Sequence, residues 1–316
     1  MDDLLSIVIP SYNEEDNVGL AAKKILSLMS YEKIPCEIIF VSDGSKDNTY
    51  RNILEEAKKD SRVRGIEFSR NFGKEAAILA GLRKGTGSCF VVMDCDLQHP
   101  PKTVVEMYRK WQEGYKIVEG IKNSRGKESF LYKKCSQIFY GILTNLTGFN
   151  LKNTSDFKLI DRKVAQILCE LPERKTFFRA LSFWVGFKSC QVRYDVAERA
   201  SGESKWSVVS LIQYAITNII SFSSKPLNIV TYLGAFSVIA GFTLGIWAFI
   251  SWVTGHIVSG FTGVILLLLL IGGCILLGLG VIGQYIAAIY LEVKHRPRYI
   301  VQYNSNDGQK ADTNGK

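Results

Sequence analysis

The most informative absence in this chain is charge, because no Asp, Glu, Lys or Arg occurs between positions 226 and 291. A membrane-spanning helix needs about 20 apolar residues. Soluble cores rarely contain so long a stretch without a charged side chain. We therefore predict two transmembrane helices, near 229–253 and 263–288, within a membrane region 226–292. A buried core hairpin is the alternative interpretation.

Other absences exclude whole classes of protein. No G-x-G-x-x-G follows the first predicted strand, and G-x-x-x-x-G-K-[S/T] is missing altogether, which excludes dinucleotide enzymes and P-loop NTPases. The seven cysteines form no C-x-x-C pair, so we interpret them as reduced packing residues rather than zinc or disulfide positions. Despite a net charge of +9, no Lys/Arg cluster is interleaved with aromatics, so nucleic acid is not an expected partner. The first residues contain neither a basic segment nor a cleavage site, so we expect no cleaved signal peptide.

Basic residues flank the uncharged stretch on both sides. Lys225 precedes it, and Lys294, Arg296 and Arg298 follow it. The positive-inside rule therefore places both flanks in the cytoplasm, as expected of a multi-pass protein of the plasma (inner) membrane. Residues 293–316 are expected to form a cytosolic basic tail, partly disordered.

The segment just before the apolar stretch has helical periodicity. Between 206 and 224, polar residues fall on one helical face opposite a row of valine and isoleucine. We predict an amphipathic helix at 205–225 that lies at the membrane interface. A third span, or a helix that packs against a partner subunit, are alternatives.

The N-terminal region predicts an α/β domain over residues 1–204. Four strand-like runs, at 4–10, 36–41, 63–69 and 89–93, alternate with helical runs, which is typical of a parallel sheet. Each strand is followed by a polar, turn-forming segment: SYNEED, SDGSKDN, RNFGK and DCDLQHPP. Because the carboxyl ends of parallel strands share one edge, we expect a single ligand to contact all four loops.

Two carboxylates stand directly after the fourth strand. Asp94 and Asp96 are separated by one residue, so in an extended segment both point the same way. Together with Gln98 they offer the oxygen ligands that Mg²⁺ or Mn²⁺ prefers. A charged turn after a strand is the alternative. His99 is a poor third ligand, because such hard cations prefer oxygen.

In this order the loops resemble glycosyltransferase family 2, whose GT-A fold is Rossmann-like with a mainly parallel sheet. The resemblance rests on P-x-Y-N-E at 10–14, an aspartate before Gly-Ser at 43, and D-x-D at 94–96. Four further segments resemble polyprenyl-phosphate glycosyltransferases, including dolichyl-phosphate mannose synthases and the bacterial GtrB-type enzymes. These are DCDLQHPP at 94–101, DFKLIDR at 156–162, RASGESKW at 199–206 and EVKHRP at 292–297. Ser42 departs from the family, where many relatives have a second aspartate.

The resemblance and the loop chemistry together assign candidate roles. An aromatic face, carboxylates and cations suit a nucleotide sugar, and the residues expected to bind it are Pro10, Tyr12, Glu14, Asp43, Lys74, Asp94, Arg199 and Lys205. Asp96 and Asp156 are the expected catalytic residues. Asp156 matches a position often assigned as the base in relatives, but we expect it to orient the acceptor or hold the site together. The acceptor phosphate is expected at Arg125 and Lys122, with Lys127 beside them, because a guanidinium fork matches phosphate geometry.

The resemblance implies an inverting, metal-dependent transfer of one hexose from a nucleotide sugar to polyprenyl phosphate at the cytoplasmic membrane face. UDP-glucose and undecaprenyl phosphate are the first choice. GDP-mannose, another UDP-sugar or a dolichyl acceptor stay open as alternatives. The Q-x-x-R-W motif of processive synthases is absent, which favours a single transfer. A catalytically silent membrane scaffold and a transporter are the rivals from other classes, and a homo-oligomer is expected.

Overall fold

The N-terminal region folds into the predicted β/α repeats. In the computed structural model, which describes residues 3–123, 155–173, 177–195, 224–254 and 261–305, strands and helices alternate through the first third of the chain. They are β1 (Leu5–Ser11), α1 (Val18–Tyr31), β2 (Cys36–Ser42), α2 (Thr49–Lys59), β3 (Val63–Phe68), α3 (Lys74–Lys84), β4 (Cys89–Val92) and α4 (Pro101–Gln112). Strands β1 to β4 pair in parallel, as the periodicity predicts.

Later segments extend this sheet on both sides. They are β5 (Ile117–Lys122), β6 (Lys158–Asp161), α5 (Arg162–Glu170), α6 (Phe178–Trp184), β7 (Ser189–Tyr194) and β8 (Val301–Asn304). The strand order is β7-β5-β6-β4-β1-β2-β3-β8. Only β6 and β8 run antiparallel to their neighbours in the described sheet. The fold is therefore GT-A-like, with a mixed and mostly parallel α/β sheet.

Burial explains why these segments pair. All seven residues of β2 are buried, as expected for a central strand covered by helices on both faces. Helix α1 has an apolar stripe that packs onto one face of the sheet and comprises Val18, Ala21, Ala22, Ile25 and Met29. Because β6 runs antiparallel to β4, the residues before β6 lie at the same edge as the residues after β4.

Two long apolar helices follow, α7 (Lys225–Val253) and α8 (Phe261–Val293). Each contains one predicted span, and each is long and apolar enough to cross a membrane. Within this pair, a Cβ added at Gly278 would lie 3.0 Å from Cγ1 of Val230. The glycine therefore permits close contact between the two helices. The predicted amphipathic helix at 205–225 lies almost entirely outside the described residues.

The C-terminal tail contains a strand that the periodicity does not predict. Residues Val301–Asn304 pair antiparallel with β3 and form one edge of the sheet. Two compact units result, one comprising Met1–Trp206 with Arg296–Lys316 and the other Ser207–His295. The domain boundary predicted at 204 stays a prediction, because residues around it are not described.

Candidate active site

The D-x-D segment forms a tight turn after β4. Leu97 has a φ of 59°, a left-handed conformation that is costly for a leucine and is found mostly where structure or function requires it. The Leu97 side chain is buried in the core, which holds the turn in place. Next to it, the backbone N–H of Gln98 donates to Oδ1 of Asp96 at 3.0 Å. The two aspartates therefore lie in a fixed turn rather than a loose one.

His99 supports this turn from inside the protein. Its Nδ1 accepts a hydrogen bond from the backbone N–H of Asp94 at 3.1 Å. The imidazole stacks on Phe157, with ring centroids 4.4 Å apart, and meets the edge of Tyr194. Burial lowers its pKa, so the ring is neutral and serves as an acceptor. His99 is thus a structural partner of the D-x-D turn.

Lys74, the first residue of α3, lies between two of the predicted carboxylates. Its Nζ is 2.5 Å from Oδ1 of Asp94 and 3.4 Å from Oδ2 of Asp156. Burial alone would lower the lysine pKa, but the two carboxylates raise it above its ordinary value. Lys74 therefore provides a permanent positive charge at the end of β4.

Asp156 forms a second ion pair, with Arg179 of α6. Nη2 of Arg179 lies 3.1 Å from Oδ2, and Nε donates to Oδ1 at 3.2 Å. Burial would raise the Asp156 pKa, but Lys74 and Arg179 together hold it well below its ordinary value. A carboxylate held ionised by two cations is a weak proton acceptor at neutral pH. The geometry therefore supports an orienting role for Asp156.

Sequence reasoning missed Arg179 and Glu75. The backbone N–H of Phe178 donates to Oε2 of Glu75 at 2.8 Å, so α3 and α6 meet beside Asp156. Burial, followed by the negative charge of Asp156, raises the pKa of Glu75 to about 8. Only the K-E pair that opens α3 could have drawn attention to Glu75. Nothing local marks Arg179, because its partner lies 23 positions earlier.

Asp43, predicted to bind the donor, connects the second loop to the third. Its Oδ1 accepts the backbone N–H of Phe72 at 2.6 Å, and its Oδ2 accepts that of Gly73 at 2.9 Å. The next residue, Gly44, has a φ of +64°, and a Cβ there would lie 2.3 Å from the backbone carbon of Arg70. The Asp43 carboxylate thus holds the segment that leads into Lys74.

The first and second loops are also bonded to each other. Asn13, with a φ of 55°, accepts the backbone N–H of Lys46 at 2.9 Å. The backbone N–H of Glu14 donates to Oγ1 of Thr49 at 2.8 Å. Ser42, where relatives have an aspartate, is buried and donates to Oγ of Ser45. Three of the four predicted loops are therefore fixed to one another.

The remaining predicted residues are placed as follows. Pro10 lies in β1, Tyr12 just after it is 42% exposed, and Lys122 is exposed at the end of β5. Arg125, Lys127, Arg199 and Lys205 lie outside the described residues. Their predicted roles in binding the acceptor and the donor stay predictions.

The donor set at the D-x-D turn fits a divalent cation. Burial, with the nearby charges of Asp96 and Asp94, raises the pKa of Glu14. The carboxyl groups of these three residues are therefore close enough to interact electrostatically. Within the described ranges, no three Asp, Glu, His or Cys side chains are arranged to hold a metal ion. Coordination by Asp94, Asp96 and Gln98 would leave positions on the cation for water and substrate phosphate oxygens, as is usual for Mg²⁺. Asp94 would share its charge between that cation and Lys74.

Comparison with known proteins finds glycosyltransferases that match nearly the whole chain. The chain is 36% identical over 308 residues to the bactoprenol glucosyl transferase of Shigella phage SfV, covering 97% of this chain and 99% of the relative. It is 40% identical over 299 residues to the uncharacterized glycosyltransferase YkcC of Bacillus subtilis (strain 168), covering 94% and 93%.

Solved structures show the same fold. Glucosyl-3-phosphoglycerate synthase from Mycobacterium tuberculosis, in complex with Mn²⁺ and UDP-glucose, superposes with a TM-score of 0.53 at 19% identity. The match covers 69% of this chain and 78% of that one. The model of the family described as Glycosyl transferase family 2 matches residues 6–168. The chain therefore belongs to glycosyl transferase family 2.

Proposed function

We propose that this enzyme transfers a single hexose, with inversion, from a nucleotide sugar to polyprenyl phosphate at the cytoplasmic face of the plasma membrane. UDP-glucose and undecaprenyl phosphate are the proposed substrates. The observation that carries the proposal is the pair of ion bridges at the D-x-D turn, where Lys74 joins Asp94 to Asp156. The likeness to bactoprenol glucosyl transferase over nearly the whole chain supports the lipid acceptor.

The charges suit the departure of a nucleoside diphosphate. Asp94, Asp96 and Gln98 would hold Mg²⁺ or Mn²⁺, which when bound supplies positive charge that stabilises the leaving diphosphate. Lys74 carries a further positive charge beside the same turn. Distant relatives of the same fold have been solved with Mn²⁺ or Mg²⁺ and UDP.

The acceptor needs little help to become a nucleophile. A phosphate monoester has a second pKa of about 6, so polyprenyl phosphate is largely ionised at neutral pH. This agrees with the low pKa of Asp156, which is ion-paired with Arg179 and therefore suited to orientation. The structure thus supports attack by a phosphate oxygen without a strong general base.

The apolar helices and their basic flanks support the proposed location. Helices α7 and α8 satisfy the length and hydropathy of membrane spans, and positive flanks on both sides favour a cytoplasmic catalytic unit. We also propose that the hairpin associates in a homo-oligomer. If the protein migrates only as a monomer after cross-linking in native membranes, the proposed homo-oligomer is contradicted.

A donor panel tests the activity. Purified full-length protein is incubated with UDP-glucose, UDP-galactose, UDP-GlcNAc or GDP-mannose, each with undecaprenyl or dolichyl phosphate, and the lipid product is identified by mass spectrometry. We expect a hexosyl lipid from UDP-glucose that disappears on addition of EDTA and in Asp96→Asn. Glu113→Gln, which alters an exposed ion pair with Lys110, is the matched control and should retain activity. No product from any donor would refute the proposal.

A further inference from the structure

The C-terminal strand pairs with β3, with one register shift between Glu67 and Phe68. Val301 lies opposite Phe68 and Tyr303 opposite Glu67. Before the strand, the carbonyl of Ile300 accepts the N–H of Ser69 at 3.1 Å. After it, Ser305 donates its N–H to the carbonyl of Gly65 at 2.9 Å, and its Oγ accepts the Gly65 N–H at 2.8 Å. Residues 299–305, here called the C-terminal strap, are therefore anchored at both ends.

The strap contributes buried side chains as well as hydrogen bonds. Tyr299 is 6% exposed and stacks on Phe68, with ring centroids 4.9 Å apart and planes at 15°. Together with Val301 it belongs to an apolar cluster that includes Ala76 and Ala80 of α3. The strap thus forms part of the surface on which α3 packs.

Contacts continue from Tyr299 to the active site. Phe68 meets the edge of Phe72, with centroids 5.8 Å apart. The Phe72 N–H is one of the two backbone donors to Asp43, and the other belongs to Gly73. Lys74, which bridges Asp94 and Asp156, follows immediately. The rings of Tyr299, Phe68 and Phe72 therefore connect the strap to the segment 72–74.

We propose that the C-terminal strap positions the donor-binding segment 72–74, and that Tyr299 is the positioning residue. Tyr299 acts through Phe68 and Phe72 on the backbone that Asp43 holds. This assignment rests on the proposed function, in which Lys74 and Asp43 serve the nucleotide-sugar donor. Without the Tyr299 ring, segment 72–74 gains local freedom, and donor binding weakens more than turnover.

Hydrogen exchange of the full-length protein tests the structural half without any assay of activity. In Tyr299→Ala, we expect the amides of Phe72 and Gly73 to exchange about tenfold faster, as in local opening, while those of β1 and β2 keep their rates. Tyr299→Phe keeps the ring and should restore protection. Tyr303→Ala is the control at the other end of the strand, because Tyr303 stacks on Tyr50 of α2 and is not a ring partner of Phe68.

Kinetics test the functional half. Tyr299→Ala should raise the KM for the sugar donor several-fold and lower kcat by a smaller factor, because Lys74 of the loosened segment keeps its ion pairs with Asp94 and Asp156. Faster exchange spread evenly over β1 to β4 would show general destabilisation and overturn the proposal. Unchanged exchange at Phe72 and Gly73, or an equal KM effect in Tyr303→Ala, would also overturn it. If the wild-type enzyme transfers no sugar, the proposed function fails, but exchange still decides whether the strap positions 72–74.

Discussion

Glu75 and Asp156 are neighbouring carboxyl groups whose pKa values move in opposite directions. Asp156 has Lys74 and Arg179 beside it, which hold its pKa low against the effect of burial. Glu75 is affected chiefly by burial and by the charge of Asp156, and both raise its pKa. Environments that separate two such groups leave one ionised and one protonated near neutral pH. At this site the ionised member is the one paired with cations.

The Glu75 pKa predicts a pH dependence of stability. The folded-state pKa of about 8 exceeds the ordinary value of 4.5, so the folded state retains a proton that the unfolded chain releases. The free energy of unfolding should therefore fall as pH rises from about 4.5 to about 8. Chemical denaturation across this pH range should show that the free energy of unfolding falls less steeply for Glu75→Gln than for wild type. A decline as steep as in wild type would contradict the prediction, and Glu113→Gln is the exposed control.

Gly44 predicts a steric effect at the turn after β2. A Cβ at this position would lie 2.3 to 2.7 Å from backbone atoms of Arg70 and Asn71, which cannot easily move. Gly73 also has a positive φ, of +97°, but has open space around it. Gly44→Ala should therefore lower the free energy of unfolding by more than about 2 kcal/mol, and Gly73→Ala by only about 1 kcal/mol. Equal melting temperatures of the two variants would contradict this.

At the scale of elements, a buried ion pair fastens α6 to the sheet. Lys158 of β6 is 1% exposed, and its Nζ lies 3.1 Å from Oε1 of Glu119 on β5. The same Nζ donates to Oγ of Ser182 at 2.8 Å and to the carbonyl of Arg179 at 3.2 Å. Burial lowers the Lys158 pKa, although the Glu119 charge opposes this. The ammonium group thus holds the helix that presents Arg179 to Asp156.

Breaking this pair should be costly. Lys158→Met leaves Glu119 buried and uncompensated, so we expect a loss of about 3–5 kcal/mol in the free energy of unfolding. The double variant Lys158→Met/Glu119→Leu should recover most of that loss, since no charge is left buried. Lys116→Met is the control, because the Lys116 ion pair with Asp161 is 42% exposed on the lysine side and contributes about 1 kcal/mol or less. Denaturant unfolding that shows equal losses for Lys158→Met and Lys116→Met would contradict this account.

At the scale of the whole molecule, the chain combines a charged α/β unit with a hairpin that has no Asp, Glu, Lys or Arg between residues 226 and 291. Many apolar side chains of α7 and α8 are exposed, for example Phe242 and Leu276 at 71% each. A soluble core would cover such side chains, whereas lipid would solvate them. The exposed apolar surface of the hairpin therefore favours a lipid environment.

A single charge in α8 tests this environment. Leu276 is 71% exposed and lies at the middle of the predicted span 263–288, so it contributes little to packing inside the hairpin. Leu276→Arg should reduce the fraction of protein that resists carbonate extraction, since a central arginine costs about 3 kcal/mol on insertion. Leu276→Ala should insert as wild type does. Equal extraction of the two variants would argue against a membrane-spanning α8.

Some features of the fold could be predicted because they depend on neighbouring residues. The period of apolar residues defined β1 to β4 and the helices between them, and the absence of charge defined α7 and α8. Arg179, Glu119 and β8 could not be predicted in this way. Arg179 pairs with Asp156 across 23 positions, and β8 pairs with β3, from which Ser305 is separated by 240 positions at Gly65. A four-residue strand at a sheet edge has too short a pattern to be recognised.

The sequence by itself determined where charge could leave the core. Asp43, Asp94 and Asp96 follow the carboxyl ends of buried strands, because a strand covered on both faces admits charge before its end only where that charge is paired, as at Lys158 and Glu119. The tertiary structure alone decided which of these groups are paired. Lys74 and Arg179 reach the site from two helices whose packing depends on distant contacts, and their charges hold the pKa of Asp156 low.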